Sequence, residues 1–414
     1  MAQTRHCPPA VAATRPRPPA DGGRRRFIRL AGGGALAAVA AGGLAGCSDA
    51  FPPEALEAWR GPAQQMDLRR WAVAHAILAP NSHNRQPWLV DLREPDTILM
   101  HVDRERLLPM TDPWFRQIMV SQGTFLEALV LALAERGQQA RVELFPQGEF
   151  GPRSVDARAV ARVTWTAPET GTGEDPLFAF LLRRHTAKVD YDTSRPVLAR
   201  TLQALETGLV DPGVRFGATI DAARVEALRT LCWESARVEL LTPRTAMESV
   251  RLTRVGPQEI ARHRDGISVN QWLPRIANAV GAFDRSNPPA EGSTAYKQMM
   301  GCFEGHSRTA MGFVWLSTPT ERHAAAGTLR SAEVQAGRAY MRLQLRATAL
   351  GLQMHPMSQA PQEFPEMRPW YERLHQLLLD KPAQQETVQM FCRIGYCAGQ
   401  QQTPRRALDS FLQV

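Results

Sequence analysis

Apolar positions recur along this chain at two spacings, and the spacing separates helices from strands. Residues 67–79 carry a helical pattern that stops at Pro80, because proline disfavours helix in the residue before it. Residues 88–92 and 98–102 are short apolar-rich runs bounded by polar residues or proline, the pattern of strands. Asp112-Pro113 predicts a helix start, Phe125, Leu126, Leu129, Val130 and Leu133 continue the helix, and Gly137 is placed to end it. Residues 142–145 and 159–165 predict two more strands, and 171–175 a loop. Further helices are expected over 176–184, 196–208 and 222–240. Residues 242–310 show less regularity and are rich in Arg, Gly and Pro. A strand is expected over 313–317 and an alternating one over 390–397. Between them 331–350 is a helix, with Val334, Met341, Leu345 and Leu352 spaced by seven, four and seven residues. The pattern is that of an α+β protein with helices and mostly antiparallel strands in two similar halves. No Gly-x-Gly-x-x-Gly follows a strand, which argues against a dinucleotide site of that kind.

The first 46 residues stand outside this pattern. Residues 1–23 are rich in Pro, Ala and Gly, a composition that does not build a core. Gly23-Arg24-Arg25-Arg26-Phe27-Ile28-Arg29 resembles the twin-arginine export signal, and Leu44-Ala45-Gly46-Cys47 resembles a lipobox. The resemblance implies cleavage before Cys47, a diacylglycerol on its thiol, and a protein exported folded and anchored in the bacterial periplasm or cell envelope. Residues 47–60 then read as a tether, 61–175 as a first half, and 176–414 as a second half with a lid-like insert at 242–310.

Charge and cysteines narrow the classes further. The net charge of +8 falls to +2 without residues 1–46, as 49 basic and 41 acidic residues become 42 and 40. That is no nucleic-acid footprint, which needs a concentrated basic face. The six cysteines form no CxxC pair and no metal-ligand spacing. Cys392 and Cys397 flank a strand and point to opposite faces, so a disulfide between them is not expected. After the leader, no apolar run reaches the roughly 20 residues of a membrane-spanning helix.

Four segments carry candidate chemistry. The first is the polar loop Pro80-Asn81-Ser82-His83-Asn84-Arg85-Gln86-Pro87-Trp88, held between two prolines ahead of a strand. The second, Arg184-His185-Thr186-Ala187-Lys188, sets two cations and a hydroxyl at alternate positions, a set suited to a phosphate. Lys188 is one of three lysines in an arginine-rich chain. The third is the helix end and turn from Gly351 through Pro356, Met357, Ser358 and Gln359. The fourth is the strand at Arg393 to Tyr396 followed by Arg405 and Arg406.

The first segment resembles the P-S-S-x-N-x-Q-P-W motif of the nitroreductase superfamily, with Asn81 in place of one serine. The second resembles that family's R-x-S-x-R/K grip on phosphate and isoalloxazine. The third and fourth resemble its flavin-facing loop and its closing strand with terminal basic residues. The order of the segments is similar to the duplicated, Acg-like branch, in which one chain imitates a homodimer. The resemblance implies a nitroreductase-like fold in two tandem halves, a single-chain pseudo-dimer with central antiparallel sheets flanked by helices. It implies one FMN site contacted by Pro80, Asn81, Ser82, Asn84, Gln86, Arg184, Thr186, Lys188, Pro356, Met357, Ser358, Gln359, Arg405 and Arg406, with a lid including residues 259–266. It implies ping-pong hydride transfer through FMN, with NAD(P)H as a candidate donor and a quinone- or nitroaromatic-like acceptor. No side chain is required as catalyst, since the flavin carries the reaction. An exported protein that binds or sequesters FMN without turnover is the alternative, and a specific exported oxidase or dehydrogenase a third reading. No metal and no nucleic acid are expected, and a chain that already imitates a dimer is expected to be a monomer.

Overall fold

The computed structural model describes residues 49–167, 175–207, 211–281, 284–320, 330–383, 385–398 and 401–413. The arginine-rich leader, Cys47 and residues 171–174 lie outside them. The chain divides into two compact units, Met1–Asp49 and Ala50–Val414, and every element below belongs to the second.

The first part of that unit runs α1 (Leu68–Ala76), β1 (Trp88–Asp91), β2 (Thr97–Val102), α2 (Arg116–Glu135), β3 (Gln139–Leu144) and β4 (Ala161–Thr166). The side chain of Asp67 caps α1 by accepting from the backbone N–H of Arg69 and Arg70. Helix α2 starts at Arg116 and not at Pro113, because Phe115 adopts a left-handed conformation with φ 58°. Asp112 still satisfies the helix end, its carboxylate accepting from the N–H of Gln117 and Ile118 at 3.1 and 2.9 Å. The other end closes as expected, with Gly137 at φ 65° and the N–H of Gln138 reaching back to the Leu133 carbonyl. By length and composition α2 could cross a membrane, but 83% of its most apolar window is buried in protein, so it is a core helix.

The second part runs α3 (Ala199–Glu206), β5 (Arg215–Thr219), α4 (Ala222–Leu241), α5 (Pro243–Leu252), β6 (Thr253–Val255), α6 (Gly256–His263), β7 (Ile267–Val269), α7 (Trp272–Ala279), α8 (Thr294–Arg308), β8 (Gly312–Pro319), α9 (Arg330–Ala349), β9 (Gln353–Pro356), α10 (Arg368–Leu379), β10 (Glu386–Gly395) and β11 (Leu412–Gln413). Residues 242–310, expected to be irregular, thus hold four helices and a two-stranded parallel sheet, β6-β7. The segment expected as a helix over 176–184 is a 3-10 turn, Pro176–Phe180.

The two larger sheets have the same plan. One has the order β11-β1-β2-β4-β3 and the other β5-β8-β10-β9. Without β11, every neighbouring pair in both is antiparallel. A long helix follows the second strand of each set, α2 after β2 and α9 after β8. They differ between the first and second strands. Residues 92–96 join β1 to β2, whereas residues 220–311 intervene between β5 and β8 and carry α4 to α8. The insert therefore begins earlier than residue 242.

Burial follows composition. Strand β2 alternates buried and half-buried residues along most of its length, and one face of its sheet packs on α1 and α2. Strand β8 (Gly-Phe-Val-Trp-Leu-Ser-Thr-Pro) is buried from Gly312 to Thr318. Helices α3 and α9 cover one face of its sheet, and α4 and α10 the other.

The halves meet where α2 crosses α9. A Cβ built on Gly123 would stand 1.9 Å from the carbonyl oxygen of Val334, and one on Gly337 would stand 2.0 Å from that of Val120. The contacts are reciprocal, as across a two-fold interface, and the equivalent residues, Gly123 with Gly337 and Val120 with Val334, are each 214 apart in the chain. The first residue of each helix behaves the same way. Arg116 donates to the carbonyls of Pro361 and Gln389 at 2.6 and 2.7 Å and pairs with Glu363. Arg330 donates to the carbonyls of Trp114, Gly151 and Ser154 at 2.9, 3.1 and 3.2 Å. Each arginine holds the segment between the last two strands of the opposite half. After β10 the chain returns to the first part, where β11 pairs in parallel with β1.

Gly123→Ala is expected to destabilise the protein by about 3 kcal/mol or more, because a backbone oxygen must move to admit the methyl group. Gly351→Ala, at φ 65° with nothing within 4 Å of the new Cβ, costs only the left-handed penalty of about 1–2 kcal/mol. Chemical unfolding of both variants checks the difference; equal losses would remove the close crossing from the account.

Candidate functional site

The loop from Pro80 to Trp88 is held in an unfavourable backbone shape. His83, Asn84 and Gln86 take φ of 48°, 50° and 53°, each at a cost of about 1–2 kcal/mol for a residue with a side chain. Directed hydrogen bonds offset this. The Asn81 side chain accepts from the N–H of Gln86 at 2.7 Å. Gln86 is fully buried; its amide donates to the carbonyls of Asn84 and Arg264, and its side-chain oxygen accepts from the N–H of Arg406. From α2, the Ser121 carbonyl accepts from the Trp88 indole, the Ser121 hydroxyl accepts from the N–H of Ser82, and Thr124 donates to the Pro80 carbonyl. The insert closes over the loop, with the N–H of Gly266 donating to the Asn84 carbonyl at 3.1 Å. Buried Asp265 fastens it by pairing with Arg106, Arg254 and Arg85 at 2.8, 3.0 and 3.5 Å.

Beside the loop lie two buried guanidinium groups. Arg184 donates to the Leu78 carbonyl and to Gln344. Arg405 donates to the carbonyls of Ile77, Leu78 and Ala79, just past the end of α1, and to the side chains of Asn84 and Thr403. Both sit over the ring of Trp59, at 5.4 and 5.2 Å from its centroid. Among the described residues, neither makes an ion pair with a carboxylate. Burial lowers the pKa of Arg184 to about 10 and that of Arg405 well below its ordinary value, with the Arg184 charge adding to the latter. The end of α1 contributes roughly half a negative charge against two positive ones. More than one unit of positive charge is left without an acid.

Lys188 adds to that excess. Its ammonium has no hydrogen-bond or ion-pair partner among the described residues, and although water reaches it, the surrounding protein pushes its pKa down. The segment is fixed by Arg393, a fully buried arginine in β10 that donates to the carbonyls of Ala187 and Val189 at 3.2 and 2.6 Å and to Nδ1 of His355 at 3.1 Å. The ammonium also disfavours protonation of His83, His306 and His355.

A polar chain continues from His83. Its Nδ1 meets the Ser82 hydroxyl at 3.2 Å, its Nε2 lies 3.5 Å from the Ser249 hydroxyl, and Ser82 donates to Gln117 at 3.0 Å. Burial, then Lys188 and Arg85, hold His83 at about 4. Ser249, Gln359 and Gln362 offer hydrogen bonds to Glu239, whose carboxyl is pushed up to about 7 by burial and by Glu248. Gln117 Nε2 and His306 Nδ1 are buried without a partner.

The structure therefore gathers Asn81, Ser82, Asn84, Gln86, Arg184, Thr186, Lys188, Arg405 and Arg406 around one place, Gln344 linking Thr186 to Arg184. In the third segment, Pro356 belongs to β9 and pairs with Cys392, Met357 is in the core, and Gln359 hydrogen-bonds to Glu239. His355 ties this segment to the second, because Arg393 donates to His355 and to the carbonyls of Ala187 and Val189. Arg406 is committed to Gln86 and lies 3.9 Å from Asp103. Arg405 donates to protein oxygens. Trp59, Gln344, Ser249, Glu239 and His306 were not anticipated. Arg393 opens the fourth segment, a charged residue inside an apolar strand. Among the described residues no cluster suits a metal ion, and Cys232, Cys302, Cys392 and Cys397 are free thiols.

No protein-family model matches the chain. Two Mycobacterium tuberculosis proteins are similar in sequence. "Putative NAD(P)H nitroreductase acg" is 29% identical over 188 residues, 45% of this chain and 50% of the relative, so the chain spans about half the length of that protein. A second protein also named as an NAD(P)H nitroreductase is 25% identical over 293 residues, 70% of this chain and 76% of the relative. The sequence is thus similar to Acg-like nitroreductases. Two solved structures align more weakly. The FMN-dependent nitroreductase NfnB of Mycobacterium smegmatis, in complex with NADPH, has a TM-score of 0.33 at 16% identity, covering 56% of this chain and 94% of the other. A nitroreductase-like protein of Anabaena variabilis has a TM-score of 0.38 at 11% identity, covering 82% and 91%.

His83, His306 and His375, each held at about 4, and His355, held well below its ordinary value, regain a pKa near 6.5 on unfolding. The unfolded chain then binds more protons, so their contribution is complete above pH 6.5 and is lost as pH falls toward 4. Glu239 and Asp112, raised to about 7, act in the opposite sense above their ordinary values, but they are two groups against four. The thermal midpoint is expected to fall from pH 7 to pH 5; a level or rising midpoint would mean these imidazoles are not buried neutral.

Proposed function

We propose that the chain is an FMN-dependent oxidoreductase of nitroreductase type, with one cofactor site assembled from two fused halves. The observation that carries this is the pair Arg184 and Arg405, two buried guanidinium groups with no acid to neutralise them among the described residues. A buried charge without a counter-ion is costly, and the phosphate of FMN supplies the missing anion. The common strand order, the reciprocal Gly123 and Gly337 contacts and the crossed arms of Arg116 and Arg330 support the reading as a single-chain pseudo-dimer, and with it a monomer.

The donor set fits that group. Lys188, which water reaches, has donors free for a phosphate, while Arg184 and Arg405, buried behind the loop, supply charge, Arg405 also setting the loop through Asn84. Orphaned Gln117 Nε2 and His306 Nδ1 offer two further donors or acceptors. When bound, FMN supplies two-electron transfer between a reduced donor, NAD(P)H being the candidate, and a quinone- or nitroaromatic-like acceptor. The protein's part is orientation and exclusion of water. The clamp of Asp265 on three arginines keeps residues 264–266 over the loop. His83 stays neutral at working pH and adds no second positive charge beside Lys188. We further propose that the protein is exported by the twin-arginine route and held in the cell envelope by a lipid on Cys47, where NAD(P)H is scarce. The fastened insert favours a second reading, FMN held without turnover.

Purified protein is expected to show a flavin spectrum that bleaches with NAD(P)H under argon and recovers with a quinone or nitroaromatic. A flavin spectrum unmoved by donor supports the second reading; no flavin, even after FMN is added, overturns both. Arg184→Ala is expected to weaken FMN binding by one to two orders of magnitude, the worth of about 1.5–3 kcal/mol for a charge-assisted bond. Arg262→Ala, on the exposed side of α6, is expected to leave it unchanged. Equal retention of FMN by the two variants would remove the phosphate from Arg184.

A further inference from the structure

Helix α7 turns apolar side chains outward. Trp272, Leu273 and Ile276, with Val280 just past its end, are 57, 49, 51 and 72% exposed. At 3.6 residues per turn they share one arc of about 100°. The other side of the helix holds Arg275 and Asn278, and it faces protein. The Arg275 stem lies 3.6 Å from where a Cβ on Gly256 would stand, and Asn278 donates to Glu259 at 3.4 Å. This inverts the usual arrangement, in which the apolar stripe of a surface helix faces the core. The other large apolar residues that are exposed, Met110, Leu198, Leu241 and Leu350, are 39 to 42% exposed and scattered, which is ordinary.

The position of α7 identifies what covers it. Asn270, two residues before the helix, is buried and donates its amide to the carbonyl of Ala50 at 2.7 Å. Cys47 stands three residues before Ala50 in the sequence, a reach of about 10 Å at full extension. Acyl chains on Cys47 would therefore leave the protein beside α7. A helix of eight residues is about 12 Å long, too small to supply the roughly 800 Å² per partner of a stable protein interface.

We propose that α7 is a bilayer-contact helix, with Trp272, Leu273, Ile276 and Val280 seated at the boundary of headgroups and acyl chains. Apolar side chains with a tryptophan at the edge suit that boundary. The contact is weak by itself and is sustained because the anchor keeps the patch at high local concentration near the membrane. The proposal rests on the lipid-anchor reading for this nearness. It also gives the insert a direction, since α7 lies in the same insert as residues 264–266 that cover the loop.

The test is tryptophan quenching by vesicles of phosphatidylethanolamine and phosphatidylglycerol with brominated acyl chains. The mature lipid-modified protein, beginning at Cys47, is compared with Trp272→Phe and with Leu273→Glu/Ile276→Glu, after circular dichroism confirms that all are folded. Quenching that is lost in both variants, while flotation with the vesicles is kept, supports the contact. Protein that floats with Trp272 unquenched overturns the contact and leaves the anchor standing. Protein that does not float overturns the anchor. The full chain carrying Cys47→Ser, tested in a large excess of the same vesicles, then decides α7 alone, Trp272 quenching supporting the contact and its absence overturning it. A dimer that Leu273→Glu/Ile276→Glu converts to monomer assigns the face to a second copy and also overturns the proposal.

Discussion

The architecture depends on how closely two helices can approach. At the crossing of α2 and α9 a glycine on each side meets a backbone carbonyl of the other, leaving no space for a single methyl group. This approach sets the distance between the two sheets, and so the place where the loop at Pro80 to Trp88, rooted on α2, meets Arg184, held by Gln344 of α9. The arms of Arg116 and Arg330 act on the same joint from outside and resist rotation about it. A site shared between halves keeps its geometry only if this joint is stiff, and backbone against backbone is the least compressible contact available to a protein interior.

Electrostatics divides the buried arginines into two kinds. Arg116 and Arg330 are each paired with a glutamate and serve to hold the fold. Arg184 and Arg405 have carbonyls, an amide and an aromatic face, but no acid. Removing one member of a structural pair would leave a buried charge alone; among the described residues the second kind already stands alone. The difference lies in what surrounds the guanidinium and not in the residue type, which is why composition cannot reveal it.

Most elements with strong periodicity could be read from the sequence. The helix at residues 331–350 and the core helix ending at Gly137 appear with nearly their expected limits, and the polar loop, the Arg184 segment and the terminal arginines were each visible as local patterns. What could not be read has physical causes. Strand β9 (Gln-Met-His-Pro) is four residues with a proline, and β11 is two residues; both are strands because of what lies beside them. The start of α2 shifted because Phe115 turns left-handed before it. The insert looked irregular because its helices are short and its apolar residues serve several surfaces. The role of Arg405 as a clasp on the end of α1 depends on contacts between residues 328 apart in the chain.

The last part of the chain has a bearing on how the protein is made. Arg405 and Arg406 hold Asn84 and Gln86 in their left-handed shapes, and β11 completes the edge of the sheet that begins at Trp88. Synthesis proceeds from the N-terminus, and folding generally follows it, so Asn84 emerges 321 residues before the arginine that clasps it. The loop can be formed early, but it cannot be locked until residues 405 and 406 have joined the fold. A chain cut before residue 405 would hold both helices of the central crossing and no clasp. The shape of the loop is therefore settled late, after the helices that carry it.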